Sequence, residues 1–92
     1  MGEVVATVKI MPKSPDVELE EMKINAQNII NKDAELHKIE EEPIAFGLVA
    51  LNVTFIIHDS EGGTAIIENK LTKLPNVSSI EIIDVRRLIN KF

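Results

Sequence analysis

Residues Leu48 to Ile57 form the most apolar stretch of the chain. Val49, Leu51, Val53, Phe55 and Ile57 make one alternating set, and Leu48, Ala50, Asn52, Thr54 and Ile56 the other. A period of two with apolar residues in both sets is what a sheet buries at its centre, so this segment predicts a central strand flanked by others. The chain is 92 residues long. That suffices for one domain around one core and is too short for two, so 1–92 reads as a single domain.

The flanking segments supply the rest of the sheet and its helices. From Glu3 to Met11, Val4, Ala6, Val8 and Ile10 alternate with Val5, Thr7, Lys9 and Met11, a strand ended by Pro12. Ser14-Pro15-Asp16 offers a capping hydroxyl, a proline for the first helical position and an early acid, which together predict a helix start. The stripe Leu19, Met22, Ala26 and Ile29 continues that helix until Asn31-Lys32-Asp33 closes it. Glu35 to Ile44, with Lys38, the run Glu40-Glu41-Glu42 and Pro43, suits a charged edge strand. After the central strand, Asp59 to Gly63 reads as a turn and Thr64 as the cap of a second helix with stripe Ile67, Leu71 and Leu74, Pro75 lying past its end. Val77 to Val85 is the last strand, and Arg86-Arg87-Leu88-Ile89-Asn90-Lys91-Phe92 a basic tail.

The order β-α-β-β-α-β predicts an α+β, ferredoxin-like sandwich: a four-stranded antiparallel sheet with both helices on one face. The other face is left for solvent or a partner, in keeping with Thr7, Lys9, Asn52 and Thr54. That architecture hosts metal chaperones, small-molecule sensors, RNA-binding domains and translation factors, so the residues have to decide between them.

Several chemistries fall away on composition. Without cysteine there is no disulfide framework, thiolate metal site or cysteine nucleophile. No apolar run approaches the length of a membrane span and the start carries no basic leader, so the chain reads as a cytoplasmic protein without a membrane partner. A net charge of −5 repels phosphate backbones and disfavours nucleic acid. His37 and His58 lie on different elements with no nucleophile or ligand spacing, which leaves no metal and no catalytic residues to assign. Glu40-Glu41-Glu42 is better read as a solvated edge than as paired catalytic carboxylates. Glu61-Gly62-Gly63-Thr64 lacks the glycine spacing and lysine of a phosphate loop, and is better read as a turn and cap. Phe46-Gly47-Leu48-Val49-Ala50-Leu51 echoes the third strand of an RNA-recognition domain, but the exposed set would be Leu48, Ala50 and Asn52, with no ring for a base to stack on.

Glu42-Pro43-Ile44-Ala45-Phe46-Gly47-Leu48, the Glu61-Gly62-Gly63-Thr64 turn and the ending Asp84-Val85-Arg86-Arg87, together with Val4 to Lys9 and Met11-Pro12, resemble the archaeal-type elongation factor 1-beta family. The resemblance runs from Met1 to the tail. It implies a guanine nucleotide exchange factor that loads elongation factor 1-alpha with GTP, with no covalent chemistry and no cofactor of its own, monomeric when free. It further implies that Phe46 with Gly47, and Lys91, contact the GTPase, the lysine reaching toward the Mg²⁺ site; Arg86 and Arg87 are the alternative cationic contacts. Read without the resemblance, Phe46 is either a core residue beside a strand start or an interface anchor in a loop, and Lys91 is a surface lysine near a chain end. The rival functions are a small-ligand regulatory module and an RNA-binding domain of the same fold.

Overall fold

The computed structural model describes residues 3–58 and 64–88. Strand β1 spans Glu3–Pro12, helix α1 Leu19–Asp33, strand β2 Glu35–Pro43, strand β3 Val49–His58, helix α2 Thr64–Thr72 and strand β4 Val77–Leu88. The strands form one sheet in the order β2-β3-β1-β4, and each neighbouring pair is antiparallel. This is the expected ferredoxin-like arrangement, with the apolar β3 in the interior beside β1 and the charged β2 at an edge.

The alternation sorts the side chains as anticipated. Ala6, Val8 and Ile10 of β1 and Leu51, Val53, Phe55 and Ile57 of β3 are buried against Met22, Ala26 and Ile30 of α1 and Ile67 and Leu71 of α2. Removal of these side chains from water is the main stabilising term, roughly 1.5 to 3 kcal/mol for each large one. Leu19, Ile29 and Leu74 of the predicted stripes pack only at the margin, and Ile30 takes the inner position one residue beyond Ile29. Among the described residues no helix is long and apolar enough to cross a membrane.

Three boundaries differ from the sequence reading. Ser14-Pro15-Asp16 does not open α1: the Asp16 amide donates to Ser14 Oγ (3.3 Å) and the Val17 amide to the Ser14 carbonyl (3.3 Å). The serine thereby closes a local turn, and the helix begins at Leu19 behind an extended Glu18 whose side chain makes no cap. Strand β2 stops at Pro43, which leaves Ile44 in the following loop. Strand β4 continues to Leu88, so Arg86 and Arg87 belong to a strand paired with Val5 and Val4 and not to a free tail. The predicted turn 59–63 and residues 89–92 lie outside the described residues. Thr64 is the first residue of α2, and its hydroxyl donates to Glu68 Oε2 (2.9 Å).

The face of the sheet away from the helices is polar but not uniformly open. Thr7 and Thr54 share a hydroxyl hydrogen bond of 3.0 Å, and Thr54 and Ala50 are buried. Lys9 of β1 and Glu42 of β2 flank β3 and approach to 3.7 Å, so their side chains bridge the strand between them.

Candidate functional site

The β2–β3 hairpin is closed by the Ile44 amide donating to the Leu48 carbonyl (2.7 Å) and the Leu48 amide donating to the Ala45 carbonyl (3.1 Å). That leaves Phe46 and Gly47 as the central pair of a tight turn, both in the left-handed region at φ 60 and 79. Positive φ at both central positions matches the right-handed twist of the flanking strands. Glycine adopts it freely, whereas a phenylalanine held there costs about 1 to 2 kcal/mol. The ring gains nothing from burial in exchange, since Phe46 is 93% exposed. Of the alternatives left by the sequence, this exposure removes the core reading and leaves a side chain presented by a loop.

The turn does not stand alone at its end of the molecule. A Cβ built on Gly47 would meet Pro15 at 3.6 Å, which places the β1–α1 connection beside the hairpin. The same connection is tied to the approach to β4 by the Lys13 amide donating to the Asn76 carbonyl (2.9 Å). Ile44, 39% exposed, adds a second apolar side chain near the tip.

Arg86 and Arg87 belong to the opposite end of the sheet. Arg86 pairs in register with Val5, which in turn faces Ile56, whereas the hairpin opens from Pro43 and Val49. Ile56 and Val49 are seven residues apart on β3, about 23 Å along a strand. Arg86 is exposed, with Nε 3.1 Å from Asp84 Oδ2. Arg87 is the next residue of the same strand, and Lys91 lies outside the described residues. Phe46 with Gly47, and Arg86 with Arg87, are therefore two separate places on a molecule whose long axis is 46 Å. The left-handed geometry of Phe46 was missed in the sequence; the Phe-Gly pair between two strand patterns was its only trace.

Among the described residues, a nucleophile, base and oxyanion donor do not converge at either place. Lys23 of α1 has its pKa raised above the ordinary lysine range by hydrogen bonding to the Glu41 carboxylate, reinforced by Glu20. Its 2.7 Å contact to Glu41 ties the helix to the edge strand, and its 3.3 Å contact to Glu20 stays within α1.

Comparison with known proteins shows the family. The model of the EF-1 guanine nucleotide exchange domain matches residues 5–88. The elongation factor 1-beta of Methanobrevibacter smithii is 63% identical over 89 residues, which cover 97% of this chain and 100% of that protein. The proteins of the same description from Methanothermobacter thermautotrophicus and Methanosphaera stadtmanae are 58% and 48% identical, again over 97% of this chain and 100% of theirs. Among solved structures, the ACT domain of a GTP pyrophosphokinase from Chlorobium tepidum superposes with a TM-score of 0.64 over 88% of this chain and 99% of that one. At 17% identity that likeness concerns the fold alone. With the family model spanning nearly all of the chain and full-length relatives at such identity, this chain belongs to the EF-1 guanine nucleotide exchange domain family.

Proposed function

We propose that this chain, as one exchange domain in the cytoplasm, replaces GDP by GTP on elongation factor 1-alpha by holding the GTPase at two places at once. It is a guanine nucleotide exchange factor of translation elongation that acts by binding, without covalent chemistry. The observation that carries the two-ended reading is the exposed ring of Phe46, fixed on a closed turn some distance from the basic end of β4. A rigid exposed aromatic is the kind of side chain that anchors an interface, because it brings large apolar area with few rotamers to freeze. In this reading Arg86 at the other end, with Arg87 and Lys91, supplies the cations that act on the nucleotide side.

Mg²⁺ ties the nucleotide phosphates to such a GTPase, so a cation brought beside the metal lowers the hold on Mg²⁺ and hence on GDP. Linkage makes the effect mutual: whatever factor the exchange protein takes from GDP affinity, GDP takes from its affinity, and incoming GTP completes the cycle. The free protein acts as a monomer with no nucleic-acid or membrane partner, in line with its charge of −5.

The decisive assay follows release of a fluorescent GDP analogue from purified elongation factor 1-alpha with catalytic amounts of this protein. Acceleration by wild type, lost when Phe46→Ala or the combined Arg86→Ala, Arg87→Ala, Lys91→Ala variant is used, is the expected result. Acceleration unaffected by either variant overturns the two-ended grip, and no acceleration by wild type overturns the exchange function for that partner.

A further inference from the structure

The two edges of the sheet are finished differently. Strand β2 closes its side with Lys38, the run Glu40-Glu41-Glu42 and Pro43, the charges and proline that keep an edge from pairing with another chain. Strand β4, on the other side, contains no proline and no lysine and has no neighbour beyond β1 among the described strands. Its Val85 is 52% exposed although it pairs with the fully buried Ala6, and Ile83 is 46% exposed. An edge of this kind offers a row of backbone donors and acceptors together with apolar side chains.

Register shifts interrupt β4 twice, between its pairs with Pro12 and Met11 and between those with Val8 and Thr7. Beyond the second, Asp84 to Leu88 run in unbroken register with Thr7 to Glu3, so the C-terminal part of β4 is the regular stretch onto which a further strand can add. The charges there choose the occupant. Asp84 and Arg86 lie on one face of the sheet, joined at 3.1 Å, with Val85 between them on the face that carries Ala6. When two identical strands pair antiparallel about a twofold axis, one residue stands opposite its own copy and each of its neighbours stands opposite the other neighbour's copy. An axis at Asp84 or at Arg86 opposes like charges. An axis at Val85 sets Asp84 of each chain opposite Arg86 of the other, and the exposed Val85 against its copy, so charge and apolar surface are matched together.

We propose that the C-terminal part of β4 is a docking edge for a second copy of this chain, the two strands pairing antiparallel about Val85. A single strand pair buries well under the roughly 1,200 to 2,000 Å² of a stable interface, so the association is weak and reversible, half complete at about 0.1 to 1 mM. Pairing engages Arg86; the monomer therefore stays the form that meets the GTPase and the pair is a resting form, a consequence that rests on the exchange-factor reading.

The test is sedimentation equilibrium of the protein alone from about 10 µM to about 2 mM, which brackets that range. Wild type is expected to pass from monomer to dimer. Arg86→Asp, which surrounds the axis with carboxylates, is expected to stay monomeric throughout, whereas Asp84→Arg combined with Arg86→Asp exchanges the charges and is expected to associate as wild type does. Thermal melting checks that each variant folds, and Val85→Lys, which opposes two ammonium groups at the axis, takes the place of Arg86→Asp should that variant be unfolded. Wild type that is monomeric at the highest concentration overturns the second copy as occupant of the edge. A folded Arg86→Asp or Val85→Lys protein that dimerises like wild type overturns the pairing about Val85, as does a folded charge-exchanged protein that stays monomeric. None of these measurements involves the GTPase, so failure of the exchange reading shows separately, as wild type that does not release GDP.

Discussion

Phe46 concentrates in one residue the conflict between local stability and the contact proposed for it. Its left-handed backbone disfavours any side chain, and its exposed ring contributes nothing to the core. Phe46→Ala should therefore leave stability within about 0.5 kcal/mol of wild type, while Phe46→Gly should raise it by about 1 kcal/mol through relief of the turn. Both variants should lose exchange. Urea unfolding midpoints read the first pair of effects, and a Phe46→Gly protein less stable than wild type would show that the ring packs in solution. Lys23 gives a prediction of another kind. Its folded pKa lies above the ordinary lysine value because the ammonium is bonded to Glu41 and then Glu20. The stabilisation it contributes is thus complete below the ordinary lysine pKa and is lost as pH rises through the raised one. Unfolding midpoints recorded from pH 8 upward should fall at the alkaline end, and Lys23→Met should flatten that part of the curve. Parallel curves for the two proteins would refute the role.

At the scale of elements, α2 is the most vulnerable piece. It has nine residues, and a helix of that length is marginal alone, so packing must hold it. Ile67 and Leu71 supply that packing, and Lys70 adds an exposed contact of 2.6 Å to Asp33 at the end of α1. The ion pair is worth well under about 1 kcal/mol. Leu71→Ala should cost about 2 to 5 kcal/mol, measured by denaturant unfolding, and a loss below that range would mean that the sheet closes over the gap. The β2–β3 hairpin behaves differently because two backbone hydrogen bonds and the sheet register hold it, leaving its tip free for contact. Its geometry was only half legible: the strand patterns on either side were plain, but which residues turn through positive φ depends on how the hairpin closes.

For the whole molecule, the proposed two-ended grip depends on the distance between the hairpin and the basic end of β4 more than on either end alone. A sheet of paired strands is stiff, so the two ends present a fixed span to a partner, and a GTPase held at both has to accommodate it. The basic end stands on an acidic protein, whose field changes with salt: a screening length of about 10 Å at 0.1 M leaves only near charges effective. The GTPase concentration needed for half-maximal exchange should rise with ionic strength, and combined Arg86→Ala and Arg87→Ala substitution should reduce that slope. Equal slopes for variant and wild type would remove these residues from the contact.

Alternation along β1 and β3, the apolar spacing of the two helices and the charged β2 determined the order of elements, the sheet and most of the core from sequence alone, because burial acts on periodic positions and periodicity is local. The start of α1 was not so determined, since Ser14 had two backbone partners open to it and the chain used it for a turn. Arg86 and Arg87 looked like a tail because nothing in their own sequence reveals that β1 extends far enough to pair with them. The shape of the sheet edges is tertiary in origin: Leu36 and Ile39 both lean on the core only because His37 bulges between Leu36 and Lys38, and a second bulge at Ile83 faces it across two strands. Register between distant strands, which no local pattern encodes, sets where such bulges meet.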